Sequence, residues 1–247
     1  MVDNTGLFSG KADDYSKFRP SYPEAAINYL AEKSCAENVL DIGAGTGIFT
    51  ARLLDAFKNV SALEPNAEMQ KEFVKFLPET VCLSGTGEDT GLPDNSVDLI
   101  TVAQAFHWLD ADKFKLEAMR ILRPAGKVAI VWNNSIENEF VKERNLVCRK
   151  YCPRFRSGHA GKRSAAEGDA FLRGGYFKEL EVVSFDNPFT MDREIFEGNM
   201  RSRSYALTPE DDGYGAFMTE LRTVFDRFAQ NGLVTEPQET QIYFGRF

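Results

Sequence analysis

Positive charge is scarce in this sequence, which has 29 Lys and Arg residues against 37 Asp and Glu residues and a formal net charge of -8. An acidic surface repels a phosphate backbone, so the composition argues against DNA or RNA as a partner. Long apolar runs are missing too, since no stretch approaches the ~20 residues that a membrane-spanning helix needs. The first six residues lack a signal-peptide pattern, and we therefore expect a cytoplasmic protein without membrane association.

Cysteine is rare and forms no disulfide pattern. The four cysteines, Cys35, Cys82, Cys148 and Cys152, are scattered along the chain, as is usual in a reducing compartment. Cys148 and Cys152 are four residues apart on a predicted helix and share one face. A metal ion would need further ligands, and only His159 is near, so we predict no metal site.

The chain is long enough for one α/β domain with a sizeable core, because it has 247 residues of which 43% are hydrophobic. Apolar runs alternate with helical patterns from Val39 to Asn133, which favours a mostly parallel sheet with crossover helices. Later patterns predict a helix over 137–152, a strand near Leu180–Phe185 and a final strand over Gln241–Phe247. The predicted fold class is α/β and Rossmann-like, with helices on both faces of the sheet.

A glycine-rich turn after the first strand is the most informative feature. The strand Val39–Ile42 runs into Gly43-Ala44-Gly45-Thr46-Gly47, and a helical pattern follows over Ile48–Phe57. Glycine has no Cβ, so such a turn lets the backbone approach a ligand beside the free N–H groups of a helix start. A dinucleotide site would have its third glycine one residue after Gly47. Asp41 beside the turn suits a cationic ligand instead.

Glu64 is the next candidate ligand residue. It ends the predicted strand Val60–Leu63, about 20 residues after Gly43. In nucleotide-binding α/β units an acidic residue at this distance accepts hydrogen bonds from the ribose hydroxyls, and an ionised carboxylate is a strong acceptor. Glu64 and its neighbour Pro65 are therefore predicted at the site, with a solvated surface acid as the alternative.

Together these segments resemble the class I methyltransferases, and within them the type-11-like small-molecule branch that includes trans-aconitate methyltransferase-like proteins. The resemblance covers roughly residues 10–133 and departs at Ala125, where the family usually has glycine. It implies a seven-stranded sheet whose antiparallel last strand lies between the fifth and sixth, with S-adenosylmethionine as the cofactor. The turn residues it assigns to the cofactor are Asp41, Gly43, Ala44, Gly45 and Gly47.

The resemblance also assigns residues beyond the glycine turn. The loop Gly85–Pro93 resembles the family loop that borders the adenine, which implies a contact from Glu88 or, alternatively, from Asp89. Gln104 follows the predicted strand Val97–Ala103, and open α/β sheets bind ligands beyond the carboxyl ends of their strands. Gln104 is therefore assigned to the cofactor as well.

His107 and Trp108 follow at the same edge of the predicted sheet. The chain has only two histidines, so His107 is the candidate for a general base that deprotonates an acceptor. A substrate-orienting, packing or structural role for His107 remains open. Trp108 is assigned with it to the substrate side.

Two segments outside the core motifs complete the predicted site. The segment Tyr15–Pro23 resembles an N-terminal element that folds over the cofactor, where Arg19 would bind the methionine carboxylate and Tyr15 would close the pocket. The segment Arg201–Tyr205 resembles the substrate side, and its residues Arg201, Arg203 and Tyr205 favour an anionic acceptor. Solvated surface charges are the alternative for both segments.

We predict one methyltransferase domain over 1–247, with an N-terminal cap over 1–34, a cofactor-binding core over 35–133 and a helical lid insertion over 190–232. In the lid, Thr208 is predicted to cap a helix that has Pro209 in its first turn and ends before Gly232.

The function that these patterns favour is methyl transfer from S-adenosylmethionine to a small polar metabolite, with a carboxylate among the candidate acceptors. A non-catalytic S-adenosylmethionine-binding regulator on the same fold is the alternative. A dinucleotide oxidoreductase is a third interpretation that the glycine spacing disfavours. The acceptor, the need for a base and the oligomeric state are left open by the sequence.

Overall fold

The structure is a computed structural model that describes residues 10–155 and 165–247, so His159 lies outside the described residues. The strands are β1 (Asn38–Ile42), β2 (Asn59–Leu63), β3 (Cys82–Leu83), β4 (Val97–Ala103), β5 (Leu122–Ser135), β6 (Glu179–Asp186), β7 (Phe189–Met191), β8 (Val234–Glu236) and β9 (Gln238–Arg246). The helices are α1 (Ala12–Phe18), α2 (Glu24–Ser34), α3 (Ile48–Leu53), α4 (Ala67–Phe76), α5 (Ala111–Ile121), α6 (Glu139–Tyr151), α7 (Ala165–Phe171), α8 (Arg193–Arg201) and α9 (Tyr214–Phe228).

Seven strands form one sheet in the order β3-β2-β1-β4-β5-β9-β6. Strands β1 to β5 pair in parallel, and Leu40 of β1 lies opposite Ser61 of β2 and Ile100 of β4. Strand β9 is antiparallel to both β5 and β6 and lies between them. The seven-stranded, mostly parallel sheet with its antiparallel last strand is thus confirmed.

Consecutive residues of β1 enter opposite cores, because side chains along a strand alternate between its faces. Val39 packs in a cluster that contains Leu30 of α2, whereas Leu40 packs in a cluster that contains Phe114 of α5. All four side chains are buried. Burial on both faces explains why the central strands read as continuous apolar runs, and it confirms the prediction of helices on both sides.

A third apolar core lies outside the sheet, between α6 and the insertion that separates β6 from β9. Phe196 of α8 packs there with Phe217 and Phe225 of α9, and all three rings are buried. Strands β7 and β8, which the sequence did not predict, pair antiparallel with Met191 opposite Val234. This ribbon holds the two ends of the insertion together.

The predicted start of the insertion helix is wrong, whereas the helix ends before Gly232, as predicted. The N–H and hydroxyl of Thr208 both donate to Asp211, at 2.7 and 3.0 Å, and form a turn that does not continue as a helix. Helix α9 begins after Gly213, whose φ of 87° lies in the left-handed region and interrupts the helical backbone. It ends at Phe228, and Gly232 lies beyond it in a turn. The pattern of Thr208 and Asp211 is typical of a helix start, but the same hydrogen bonds between side chain and backbone can also form an isolated turn, as they do here.

A buried ion pair joins α6 to β8. Arg144 donates to one carboxylate oxygen of Glu236, and the hydroxyl of Ser135 donates to the other. Although burial opposes ionisation, the Arg144 guanidinium holds the pKa of Glu236 at about 2. The pair therefore ties the insertion to the carboxyl end of β5.

We expect Arg144→Met to lower the free energy of unfolding by about 3–5 kcal/mol, because it leaves the Glu236 carboxylate buried without its cation. The double variant Arg144→Met/Glu236→Gln should recover much of that loss, since neither charge is then buried. Urea unfolding followed by circular dichroism measures both. Arg193→Met, which breaks the exposed pair with Asp226, is the control and should cost less than about 1 kcal/mol. A double variant as unstable as Arg144→Met alone would contradict this account.

Candidate functional site

The three glycines of the turn have left-handed backbone and meet different neighbours: φ is 68° at Gly43, 59° at Gly45 and 91° at Gly47. A Cβ on Gly43 would lie 2.6 Å from the Cβ of Ala105, and one on Gly47 would lie 2.9 Å from the ring of Phe73. A Cβ on Gly45 would meet nothing nearer than the Tyr15 ring at 3.9 Å. Gly43 and Gly47 therefore permit close packing, whereas Gly45 borders open space.

Asp41 is buried at the end of β1, where its carboxylate braces the turn. Its two oxygens accept hydrogen bonds from the hydroxyls of Thr50 at 2.6 Å and Thr101 at 2.9 Å. Burial outweighs these bonds and raises the pKa of Asp41 to about 7, with a smaller contribution from the charge of Glu64. Both Asp41 oxygens are thus engaged inside the protein, although the residue lines the cleft, and its role toward a cationic ligand stays a prediction.

Glu64 links the loops that follow two neighbouring strands. Its Oε2 accepts from the N–H of Gly45 at 2.8 Å, and its Oε1 accepts from the N–H of Asn66 at 2.9 Å. Burial raises the pKa of Glu64, and both N–H bonds oppose that rise. Each carboxylate oxygen has a second lone pair, which can accept a ligand hydroxyl. The adjacent Pro65 is exposed.

A cleft of ≈ 450 Å³, partly open to solvent, lies beyond the carboxyl ends of β1 and β4. The predicted site residues that line it are Tyr15, Arg19, Asp41, Gly43, Ala44 and Gln104. The lining residues that sequence reasoning missed are Pro20, Tyr22, Ile48, Phe49, Ala103 and Asn133. Pro20 and Tyr22 fall within a segment already singled out, and Asn133 lies at the carboxyl end of β5, which was an available signal.

Gln104 has a φ of 56°, which is rare for a residue with a side chain and typical of functional sites. Its N–H donates to the carbonyl of Val131 at 2.9 Å, and its side-chain amide donates to the carbonyl of Asn133 at 3.4 Å. The Asn133 amide in turn donates to the carbonyl of Ser21 at 3.2 Å. The ends of β4 and β5 are thereby joined to the N-terminal segment at the cleft.

Arg19 and Tyr15 form the wall of the cleft opposite the glycine turn. The guanidinium carbon of Arg19 lies 4.7 Å from the centre of the Tyr15 ring, and its Nη2 donates to the carbonyl of Ser202 at 3.3 Å. Its Nε is buried and has no hydrogen-bond partner among the described residues. Burial, followed by repulsion from Arg203, lowers the pKa of Arg19 to about 10. A cation with an unused donor in this position suits an anionic group.

The predicted adenine-side residues lie outside the cleft lining. Glu88 is partly buried and accepts the N–H of Asp110 at 2.7 Å through its Oε1. Asp89 is exposed and its backbone pairs with Thr86 across a tight turn. Glu88 thus braces the start of α5, and its role toward adenine stays a prediction.

His107 and Trp108 form part of a short 3-10 helix, Phe106–Trp108, just beyond β4. Their rings lie 4.7 Å apart, and both side chains are partly buried. Neither residue lines the cleft that Tyr15 and Arg19 border.

The three predicted substrate-side residues have separate surroundings. Arg201 is paired with Asp14, with Nε to Oδ2 at 2.8 Å and Nη2 to Oδ1 at 3.3 Å. Tyr205 is buried against Phe155, with ring centres 4.9 Å apart. Arg203 donates its Nη2 to Asn199 at 3.0 Å, and its Nε is buried without a hydrogen-bond partner in the described part of the chain. Arg203 is therefore the better candidate for an anion, since Arg201 already has a carboxylate.

Within residues 10–155 and 165–247, no group of three His, Cys, Asp or Glu side chains could hold a metal ion. Over the same ranges, none of the helices has both the length and the apolar character needed to cross a membrane.

Known proteins resemble this chain over about half of its length. Residues 40–130 match the model of a family described as Methyltransferase domain. An uncharacterized methyltransferase of Mycobacterium tuberculosis is 45% identical over 130 residues, which cover 53% of this chain and 53% of that protein. A methyltransferase-like protein of Schizosaccharomyces pombe is 34% identical over 139 residues, which cover 54% of each chain. The chain spans about half the length of the curated relatives it matches.

A solved structure resembles nearly the whole chain. It is that of a protein from Anaeromyxobacter dehalogenans described as a candidate type II methyltransferase, with a TM-score of 0.68 and 26% identity. The match covers 93% of this chain and 98% of that one, so the likeness includes the insertion as well as the sheet.

The buried Asp41 makes stability depend on pH. The pKa of Asp41 is raised to about 7 in the folded protein, so the unfolded chain loses the Asp41 proton at lower pH than the folded protein does. The contribution of Asp41 to stability therefore falls as pH rises from about 4 to about 7. Asp41→Asn removes that titration, so the free energy of unfolding of the variant, relative to that of the wild type, should rise by about 2–4 kcal/mol across this range. Urea unfolding at pH 4.5, 6 and 7.5 measures the difference. The exposed Asp55→Asn is the control, and parallel profiles for wild type and Asp41→Asn would contradict the raised pKa.

Proposed function

We propose that this chain, which carries a methyltransferase domain of the class I fold, transfers a methyl group from S-adenosylmethionine to a small-molecule acceptor. The observation that carries the proposal is the Glu64 carboxylate, bonded to Gly45 at the one turn glycine that borders open space. A ribose acceptor thus stands beside a backbone that a ligand can approach. The sheet and its resemblance to solved methyltransferases over nearly the whole chain give independent support.

The cleft residues Tyr15 and Arg19, together with Gly45 and Glu64, which do not line the cleft, fit the parts of this cofactor. Glu64 would accept the ribose hydroxyls through its remaining lone pairs. Arg19, with its buried and unused Nε, would bind the methionine carboxylate, and Tyr15 would cover it. A Cβ at Gly45 would fill space that the ligand needs. Adenine would lie toward the loop of Glu88 and Asp89, as the resemblance implies.

The main task of the protein in this reaction is to place the two reactants. When bound, S-adenosylmethionine supplies a methyl group already attached to a sulfonium leaving group. The cleft residues hold the two reactants close and in line, and the N-terminal wall formed by Tyr15 and Arg19 excludes water. This division of work explains why the strongest sequence patterns concern cofactor placement.

The acceptor is proposed to be a small, polar and preferably anionic molecule, such as a carboxylate. Arg19 and Arg203 are close enough to repel each other, and neither forms a salt bridge with an acidic side chain among the described residues, although the buried Glu236 carboxylate attracts Arg203. If Arg19 binds the cofactor carboxylate, Arg203 is left for an anionic acceptor. A carboxylate acceptor is already ionised near neutral pH, so His107 would orient it rather than deprotonate it.

We expect Glu64→Gln to weaken S-adenosylhomocysteine binding by about 1–3 kcal/mol, because it removes a charged acceptor from the ribose. An analogue that lacks the ribose hydroxyls should bind the variant and the wild type equally. Isothermal titration calorimetry measures both ligands, and Glu72→Gln, which breaks a surface pair with Lys75, is the matched control. A wild type that binds no S-adenosylhomocysteine would refute the proposed function, whereas unchanged affinity in Glu64→Gln would remove only Glu64 from the site.

Release of S-adenosylhomocysteine over a panel of carboxylates, alcohols and amines tests the acceptor. For a carboxylate, Arg203→Gln should raise KM about tenfold or more with little change in kcat, and His107→Ala should keep most of kcat. Arg123→Gln, which breaks a pair with Asp98 at the other end of β4, controls for loss of charge. If His107→Ala loses kcat by orders of magnitude, the acceptor needs deprotonation and a hydroxyl is the better candidate. If the protein binds S-adenosylhomocysteine but methylates no member of the panel, the alternative of a non-catalytic S-adenosylmethionine-binding regulator would be favoured.

A further inference from the structure

Helix α1 is tied to α8, far along the chain. Arg201 at the end of α8 holds both oxygens of Asp14, and the side-chain amide of Asn199 donates to the carbonyl of Phe18 at 3.0 Å. The Asp14 and Arg201 side chains are 27% and 32% exposed, so solvent and salt screen this pair less than a surface pair. The two helices therefore have polar ties near both ends of α1.

Gly198 shows how closely the two helices approach. It lies in the interior of α8, where glycine destabilises a helix by about 1 kcal/mol relative to alanine. A Cβ at this position would lie only 2.1 to 2.5 Å from three atoms of the Phe18 ring. Its φ is not in the left-handed region, so packing against α1, and not a turn, requires the glycine.

The residues that flank α1 continue the contact past α8. The buried ammonium of Lys11, just before α1, donates to the carbonyls of Arg203 and Ala206, both at 2.9 Å. Arg19, just after α1, donates to the carbonyl of Ser202. Both ends of α1 are thus bound to the segment that carries Arg203, the residue proposed to bind the methyl acceptor.

The same helix forms one wall of the cofactor cleft. Tyr15 within α1 and Arg19 at its end line the cleft, whereas Asp14, Gly198 and Arg201 do not. A change in α8 can therefore reach the cleft through the position of α1 and through the bond of Arg19 to Ser202, just after α8.

We propose that α1 and α8 form one lid, and that Asp14, Gly198 and Arg201 are positioning residues that set cofactor affinity without touching the cofactor. The inference rests on the proposed function, because it takes the cleft of Tyr15 and Arg19 as the cofactor site. Since the Arg203 segment is bound to the same helix, acceptor and cofactor favour the same lid position. Linkage then requires each ligand to tighten the binding of the other by the same factor.

Charge reversal tests the tie between the helices. Arg201→Glu places a like charge beside Asp14 and should weaken S-adenosylhomocysteine binding roughly fivefold or more, measured by calorimetry without acceptor. The double variant Asp14→Lys/Arg201→Glu restores opposite charges and should return the affinity to within about twofold of the wild type. Arg222→Glu is the matched control, because it breaks a two-bond pair of α8 with α9 through Glu197 but leaves α1 alone.

The outcomes separate the two proposals. If the wild type binds S-adenosylhomocysteine and Arg201→Glu binds it equally well, Arg201 serves only the acceptor or the surface, and the lid is refuted. A double variant as weak as Arg201→Glu alone would refute the pairing. A wild type that binds no S-adenosylhomocysteine refutes the proposed function itself.

Hydrogen exchange supplies a readout that needs no ligand. Gly198→Ala should raise exchange in residues 12–19, because its Cβ displaces Phe18, while protection in β1 and β4 stays at the wild-type level. Alanine favours the helix itself, so any loosening arises at the contact with α1. Equal protection of residues 12–19 in wild type and variant would overturn the proposal.

Discussion

The candidate site depends on one carboxylate that serves two loops. Strands β1 and β2 are neighbours, with Ile42 opposite Leu63, so their carboxyl ends release the chain side by side. Glu64 accepts one N–H from each following loop, at Gly45 and at Asn66. The Glu64 carboxylate therefore braces the glycine turn, and the same oxygens are the proposed acceptors for the ribose. One group thus braces the turn and, under the proposed function, binds the ligand.

The carboxylate of Asp41 differs from that of Glu64 in its hydrogen-bond partners. It is also buried, but the hydroxyls of Thr50 and Thr101 take its oxygens, and burial raises its pKa to about 7. Backbone N–H groups of the loops after β1 and β2 hold the Glu64 carboxylate, whereas side-chain hydroxyls of α3 and β4 hold that of Asp41, which lines the cleft. The two carboxylates thus brace different parts of the same turn region, one through backbone donors and the other through hydroxyls.

The wall opposite the glycine turn belongs to a different part of the molecule. Helix α1 is held by α8 and by the segment after it, through Arg201, Asn199 and the carbonyls bound by Lys11. The insertion that follows β6 has its own apolar core and its own buried ion pair, Arg144 with Glu236. The cleft therefore lies between the sheet that carries the glycine turn and the N-terminal segment with α1, which contacts the insertion through α8.

The sequence by itself determined the strand–turn–helix unit, the mostly parallel sheet and the candidates Gly45 and Glu64, because glycine backbone freedom and strand periodicity act over a few residues. It also indicated Tyr15 and Arg19 as cleft residues, but it did not distinguish Arg201 from Arg203. Only the tertiary structure decided that Arg201 meets Asp14, 187 residues away, and that Gly198 makes room for Phe18. Such pairings depend on which helix faces meet after folding, and no spacing within one segment encodes that.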